Sequence, residues 1–104
     1  MDIALKRVGG NASILKAVVT AFLGSSLQQL EEVEKAVGAS DAEALRFAAH
    51  TLKGTVLNFE ARKTAKVAQE LEDLGRSGSL DNTPRLLEEL KASYAELRAE
   101  MEKV

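Results

Sequence analysis

The chain contains no cysteine and a single histidine. Without thiols there is neither a disulfide framework nor a cysteine-ligated metal centre, and one imidazole does not by itself supply the usual zinc constellation. The lack of cysteine fits the cytosol, so the expected location is cytoplasmic. Aromatic residues make up only 4% of the chain, and the β-branched and aromatic residues that strands favour are scarce, which argues against a sheet. Basic residues do not exceed acidic ones: 14 Lys and Arg stand against 16 Asp and Glu, for a net charge of −2. The two signs are interleaved, so no patch is built to neutralise phosphates along a nucleic acid. No apolar run approaches the roughly 18 residues of a membrane span, and no signal peptide is visible. No membrane contact by this domain is expected.

What remains is the composition of a helical protein, 45% apolar and 29% charged, rich in Ala, Leu, Glu and Lys. A length of 104 residues fits one domain with one hydrophobic core. Ile3 to Val8 reads as a short helix stopped by Gly9-Gly10, with Asn11 as N-cap of the next element. Apolar residues then recur at helical spacing through Ile14, Leu15, Val18, Val19, Phe22, Leu23, Leu27, Leu30, Val33 and Val37, a long amphipathic helix closed by Gly38. Ser40-Asp41-Ala42-Glu43 has the S-x-x-E pattern of a capping box, which starts a second helix near Asp41 that runs to Leu57 or Asn58. After a junction at Phe59 and Glu60, a third helix turns Ala61, Ala65, Ala68, Leu71 and Leu74 inward and ends in the turn-rich Gly75-Arg76-Ser77-Gly78-Ser79. Thr83-Pro84 reads as N-cap and first helical residue, followed by the stripe Leu87, Leu90, Tyr94, Leu97 and Met101. Four amphipathic segments with short connections predict an all-α fold, an antiparallel up-down four-helix bundle with a short extra N-terminal helix.

The histidine sits on the outside of this bundle. Leu45, Ala49, Leu52 and Val56 form the apolar stripe of the second helix, and His50 lies about 130° from its middle. Lys53 and Gly54 follow at three and four residues, the offsets that make neighbours on one helix surface. Glycine in mid-helix costs about 1 kcal/mol relative to alanine, and its outward position gives no packing reason for it. A bare backbone there leaves the imidazole open to a bulky partner. Phe47 and Leu57 fall about 60° and 20° from His50, either as packing for the N-terminal helix or as an apolar docking rim.

A convex helix surface with no deep pocket, no paired carboxylates and no Ser-His-Asp set does not suit hydrolysis or redox chemistry. A neutral imidazole, however, carries a free lone pair at cellular pH and attacks phosphorus without a general base. Lys53 would then balance charge on the transferred oxygens.

His50-Thr51-Leu52-Lys53-Gly54, followed by Ala61, resembles the H-x-L-K-G signature of histidine-containing phosphotransfer (HPt) domains. The Gly9-Gly10-Asn11 lead, the run Ser40 to Leu45 and the stretch Leu71-Glu72-Asp73-Leu74-Gly75-Arg76 are also similar to that family. The resemblance implies that residues 1–104 form a single HPt domain, free-standing or excised from a larger hybrid sensor histidine kinase that itself is membrane-anchored or not. It implies a monomer that accepts a phosphoryl group on His50 from a receiver-domain aspartate and passes it to another receiver. Lys53 would stabilise phosphoryl charge and Gly54 would give steric access. Magnesium would sit on the partner receiver, this chain having no cofactor of its own, and the chain would be a carrier rather than an enzyme. No glycine-rich nucleotide loop contradicts this.

Two features depart from the family pattern. Glu60-Ala61 stands where glycine usually precedes alanine, and Thr55-Val56-Leu57-Asn58 is bulkier than usual. Many relatives carry glutamine at the position of Glu72, where a carboxylate either orients the imidazole, repels a phosphate or is simply a solvated helix charge. Arg46, Phe47, Leu57 and Glu72 are the candidate docking contacts, and Arg76 reads first as a partner for the helix dipole. Two other readings stay open: the phosphorylatable domain of a chemotaxis-type kinase, served by a separate kinase catalytic domain, and a non-catalytic helical docking module.

Overall fold

Four helices and no strand make up the described residues: α1 (Ala12–Gly38), α2 (Ala42–Leu57), α3 (Arg62–Ser77) and α4 (Thr83–Glu102). The structure is a computed structural model that describes residues 12–59 and 61–102, with side chains from residue 16 onward. The expected short helix at Ile3 to Val8, the Gly9-Gly10 break, the Asn11 cap, the side chains of Ile14 and Leu15, and Glu60 lie outside these residues.

Each helix packs on its neighbours in sequence, and α1 also packs on α4, while the diagonal pairs stay apart. That ring, joined by connections of three to five residues, is the antiparallel up-down arrangement that short loops impose. Its centre is apolar: Val33, Leu45, Ala49, Leu52, Val56, Ala68, Leu71 and Leu90 are fully buried. The stripe expected on α2 is therefore the core face of that helix. On α4, Leu86 is buried more deeply than Leu87, and Ser93 joins the interior. Tyr94 reaches across to α1, where its hydroxyl shares a 2.7 Å hydrogen bond with Ser26, so both buried hydroxyls are satisfied. The Phe22 ring on α1 meets the Phe59 ring, in the connection between α2 and α3, with centroids 4.4 Å apart.

The helix ends differ from expectation in ways that trace to backbone geometry. Ser40 has φ of 51°, a left-handed conformation, so it ends α1 and does not cap α2. Ser40 N–H donates to Val37 O and Asp41 N–H to Ala36 O, the paired closure that usually places glycine at the left-handed position. Gly38 lies two residues too early to serve. Asp41, extended at φ −97° and ψ 96°, is the N-cap of α2, and its carboxylate accepts from Ala44 N–H at 3.1 Å. Glu43 turns instead to Arg46. The hydroxyl of Thr83 donates back to Leu80 O at 2.7 Å and gives α4 no side-chain acceptor.

The end of α3 moves for a different reason. Gly78, left-handed at φ 79°, terminates it, and Gly75 lies inside the helix and is buried. A Cβ on Gly75 would stand 2.7 Å from the backbone nitrogen of Arg46 and 2.8 Å from the carbonyl oxygen of Ala42. Gly75 is a point of close approach between α2 and α3, not part of a turn. That contact fixes the register of the seam on which the histidine lies.

Candidate functional site

His50 projects from α2 with its side chain 66% exposed. Its core-facing neighbours Ala49 and Leu52 hold the helix against the bundle, so the imidazole stands on a rigid element. Across the seam, α3 presents Glu72, whose side chain is only 4% exposed. The carboxylate oxygens lie 3.2 and 3.3 Å from Nδ1 of His50. An ionised carboxylate can only accept hydrogen bonds. The proton of the neutral ring therefore sits on Nδ1, and Nε2 carries the lone pair.

Glu72 belongs to a closed circuit of side chains. Lys53 donates to Glu72 at 2.9 Å and to Gln69 at 2.6 Å. Gln69 donates in turn to Asp73 at 2.8 Å, and Arg76 joins Asp73 at 3.4 Å and Glu72 at 2.9 Å. Positions 69, 72, 73 and 76 follow one another by three, one and three residues, so they share one face of α3. Burial by itself would push the Glu72 carboxyl up, but hydrogen bonds and charge from Lys53 and His50 outweigh it and hold the group below the ordinary carboxylate value. Glu72 is thus an anion at neutral pH, matched by cations on either side.

These positions revise several sequence expectations. Glu72 is neither a solvated helix charge nor an exposed docking contact, because it is buried against the imidazole. Lys53 is half-buried and turned towards α3 rather than sharing the open outward surface. Two of its three ammonium protons are used there, which leaves one for a group arriving at the histidine. Arg76 does lie in the last turn of α3, yet its guanidinium is spent on two carboxylates and not on the helix end. Arg46 is partly covered and pairs with Glu43. Gln69 and Asp73 went unread, although polar residues at helical spacing on both sides of Glu72 are a legible sign of a shared charged stripe.

The remaining site residues lie where the wheel put them. Gly54 is exposed, and a Cβ there would meet nothing within 4 Å. Phe47 is 69% and Leu57 45% exposed, two large apolar side chains left open on α2. Phe47 also borders an open groove of about 680 Å³ between α1 and α2, lined by Gln29, Glu32, Ala44 and Thr51 among others. Among the described residues no three His, Cys, Asp or Glu side chains come together as a metal site, and no helix is long and apolar enough to cross a membrane.

A rigid helical bundle that holds one imidazole in the open, with one nitrogen tied down and the other free, has the form of a group carrier. Comparison with known proteins agrees. The family model of the Hpt domain matches residues 17–100, and the chain belongs to that family, the phosphotransfer carriers of two-component signalling. It is similar to the crystal structure of histidine-containing phosphotransfer protein B (HptB) from Pseudomonas aeruginosa PAO1. That match has a TM-score of 0.89 at 27% identity and covers 98% of this chain and 89% of the other. No curated protein sequence matches significantly.

Proposed function

We propose that His50 is the phosphoryl acceptor of this carrier. It takes the group from a receiver-domain aspartyl phosphate and passes it to the aspartate of a second receiver. The observation that carries the reading is the tie between Glu72 and Nδ1, which leaves the Nε2 lone pair free on an exposed side chain. In the transfer, Nε2 forms a bond to phosphorus as the bond to the aspartate oxygen breaks. The electron pair leaves with the aspartate carboxylate. Little else is asked of the carrier, since phosphoryl transfer depends mainly on positioning and charge.

The remaining donor of Lys53 suits a phosphoryl oxygen, and the empty space at Gly54 lets the edge of a receiver reach the ring. Phe47 and Leu57 supply apolar area for that docking. Magnesium belongs to the receiver in this scheme and shields phosphoryl charge there. The chain acts as a monomeric cytoplasmic carrier, not as an enzyme with its own turnover. Its parent is a hybrid sensor kinase or a free-standing relay protein.

The test is transfer from a panel of pre-phosphorylated receiver domains to the native protein and to His50→Gln. Acid-labile, base-stable label on the native protein alone is the expected result. Label that persists in His50→Gln removes the assignment. A folded native protein labelled by no receiver, but labelled with ATP and a kinase catalytic domain, would place it instead in a chemotaxis-type kinase.

A further inference from the structure

The circuit around Glu72 does more than aim the imidazole. Lys53 and Arg46 on α2, and Gln69, Asp73 and Arg76 on α3, are the charged and polar groups that face the His50–Glu72 pair. α1 and α4 pack on the other sides of these helices. In the resting state Lys53 and Arg76 balance Glu72 and Asp73, and the ring in its nucleophilic form carries no charge. Transfer upsets that balance. Once Nε2 has bonded to phosphorus, the ring still holds its Nδ1 proton and is a cation that bears a phosphoryl group. In water such a ring sheds that proton readily. The neutral phosphoimidazole left behind is a poor donor, because its P–N bond can break only by expelling an imidazolate or after the proton has been recovered.

We propose that Glu72 is a positioning residue that keeps the proton on Nδ1 through the whole phosphoryl cycle, so that the phosphorylated ring stays cationic and leaves readily. This rests on His50 being the acceptor. The return step then balances without any proton entering or leaving. The receiver carboxylate bonds to phosphorus, the P–N bond breaks, its electron pair returns to Nε2, and the neutral ring with Nδ1–H is restored. A glutamine would offer the same hydrogen bond without the charge. It would hold the ring but not the proton, and the phosphorylated state would last longer. The buried anion tunes this chain for hand-over rather than storage.

The experiment needs no receiver. The native protein and Glu72→Gln are phosphorylated with potassium phosphoramidate, and the phosphohistidine is titrated by ³¹P and imidazole ¹⁵N NMR. Its hydrolysis is followed over the same pH range. The native phosphohistidine is expected to keep its Nδ1 proton to a pH about one unit higher than the variant, a tenfold change in the protonation ratio, and to hydrolyse severalfold faster at mildly alkaline pH. Coincident titrations and lifetimes overturn the role of Glu72 while leaving the acceptor assignment intact. Absence of phosphohistidine on the folded native protein overturns both. Should Glu72→Gln not fold, free phosphohistidine is the reference: a native titration that matches it refutes the proposal, and one displaced upward supports it.

Discussion

Replacing Gly75 by alanine and replacing Gly54 by alanine are the same chemical change on facing helices, yet opposite effects on stability are expected. Alanine in a helix interior is favoured over glycine by about 1 kcal/mol. At Gly54 nothing opposes that gain, because the new Cβ meets no atom within 4 Å. At Gly75 the new Cβ would lie 2.7 Å from Arg46 N, 2.8 Å from Ala42 O and 3.0 Å from Arg46 Cα. Carbon contacts settle near 3.5 Å or more, so α2 and α3 must separate by roughly 0.8 Å. All three obstacles are backbone atoms and cannot rotate away. Overpacking costs about 1–3 kcal/mol, and a rigid obstacle of this kind belongs at the top of that range. After the propensity gain, Gly75→Ala should lose about 2 kcal/mol, a fall in Tm of about 8 °C or more, while Gly54→Ala should rise by about 4 °C or more. Thermal and urea unfolding followed by circular dichroism would measure both. A Gly75→Ala protein as stable as the native one would refute the close approach of α2 and α3.

The fully buried Leu52 should cost about 2–5 kcal/mol when cut to alanine, whereas His50→Gln, at an exposed site, should leave the unfolding midpoint nearly unchanged; equal midpoints for Leu52→Ala and native protein would show the wheel assignment to be wrong. Gly54→Leu should fold normally and slow phosphoryl transfer by covering the imidazole, and an unaltered rate would remove the steric role of this glycine. Ser40→Gly should stabilise by about 0.5–1 kcal/mol, since glycine holds a positive φ without the penalty of a side chain, and a lower urea midpoint would refute that. The folded-state pKa of Glu72 is depressed from 4.5, so the stability it contributes is fully present above the unfolded-state value and is lost as pH falls through the folded one. The stability difference between native protein and Glu72→Gln should therefore shrink as pH falls below about 4.5; a gap independent of pH in acid would contradict the ion pairing.

The bundle was legible because its signal is local and repeated. The α2 stripe from Leu45 to Val56 needs only the helical period, and the same period placed His50, Phe47, Leu57 and Gly54 on the outside. What escaped depends on a second helix. A glycine before Arg76-Ser77-Gly78 is equally a turn former or a point of close approach, and only the backbone of Ala42 and Arg46 decides between them. Ser40 takes the closing role expected of Gly38 because a left-handed closure is set by hydrogen-bond register, and glycine is only its commonest occupant. The role of Glu72 stayed open between orienting the imidazole, repelling a phosphate and standing as a solvated charge, and its links to Lys53 and Arg76 were not visible, because wheels of individual helices do not show which faces meet.

The chemistry at that seam explains a residue that stability alone does not. Removing a carboxylate from water costs several kcal/mol, and an apolar side chain of similar volume often serves a fold as well or better. Glu72 accepts that penalty at 4% side-chain exposure, where hydrogen bonds from Lys53, Arg76 and His50 offset it. Of the three donors, Lys53 and Arg76 have other acceptors in Gln69 and Asp73. Removal of the carboxylate would leave both cations partly served. The imidazole alone would lose the contact that fixes its proton, so the group that depends most on the buried charge is the proposed phosphoryl acceptor.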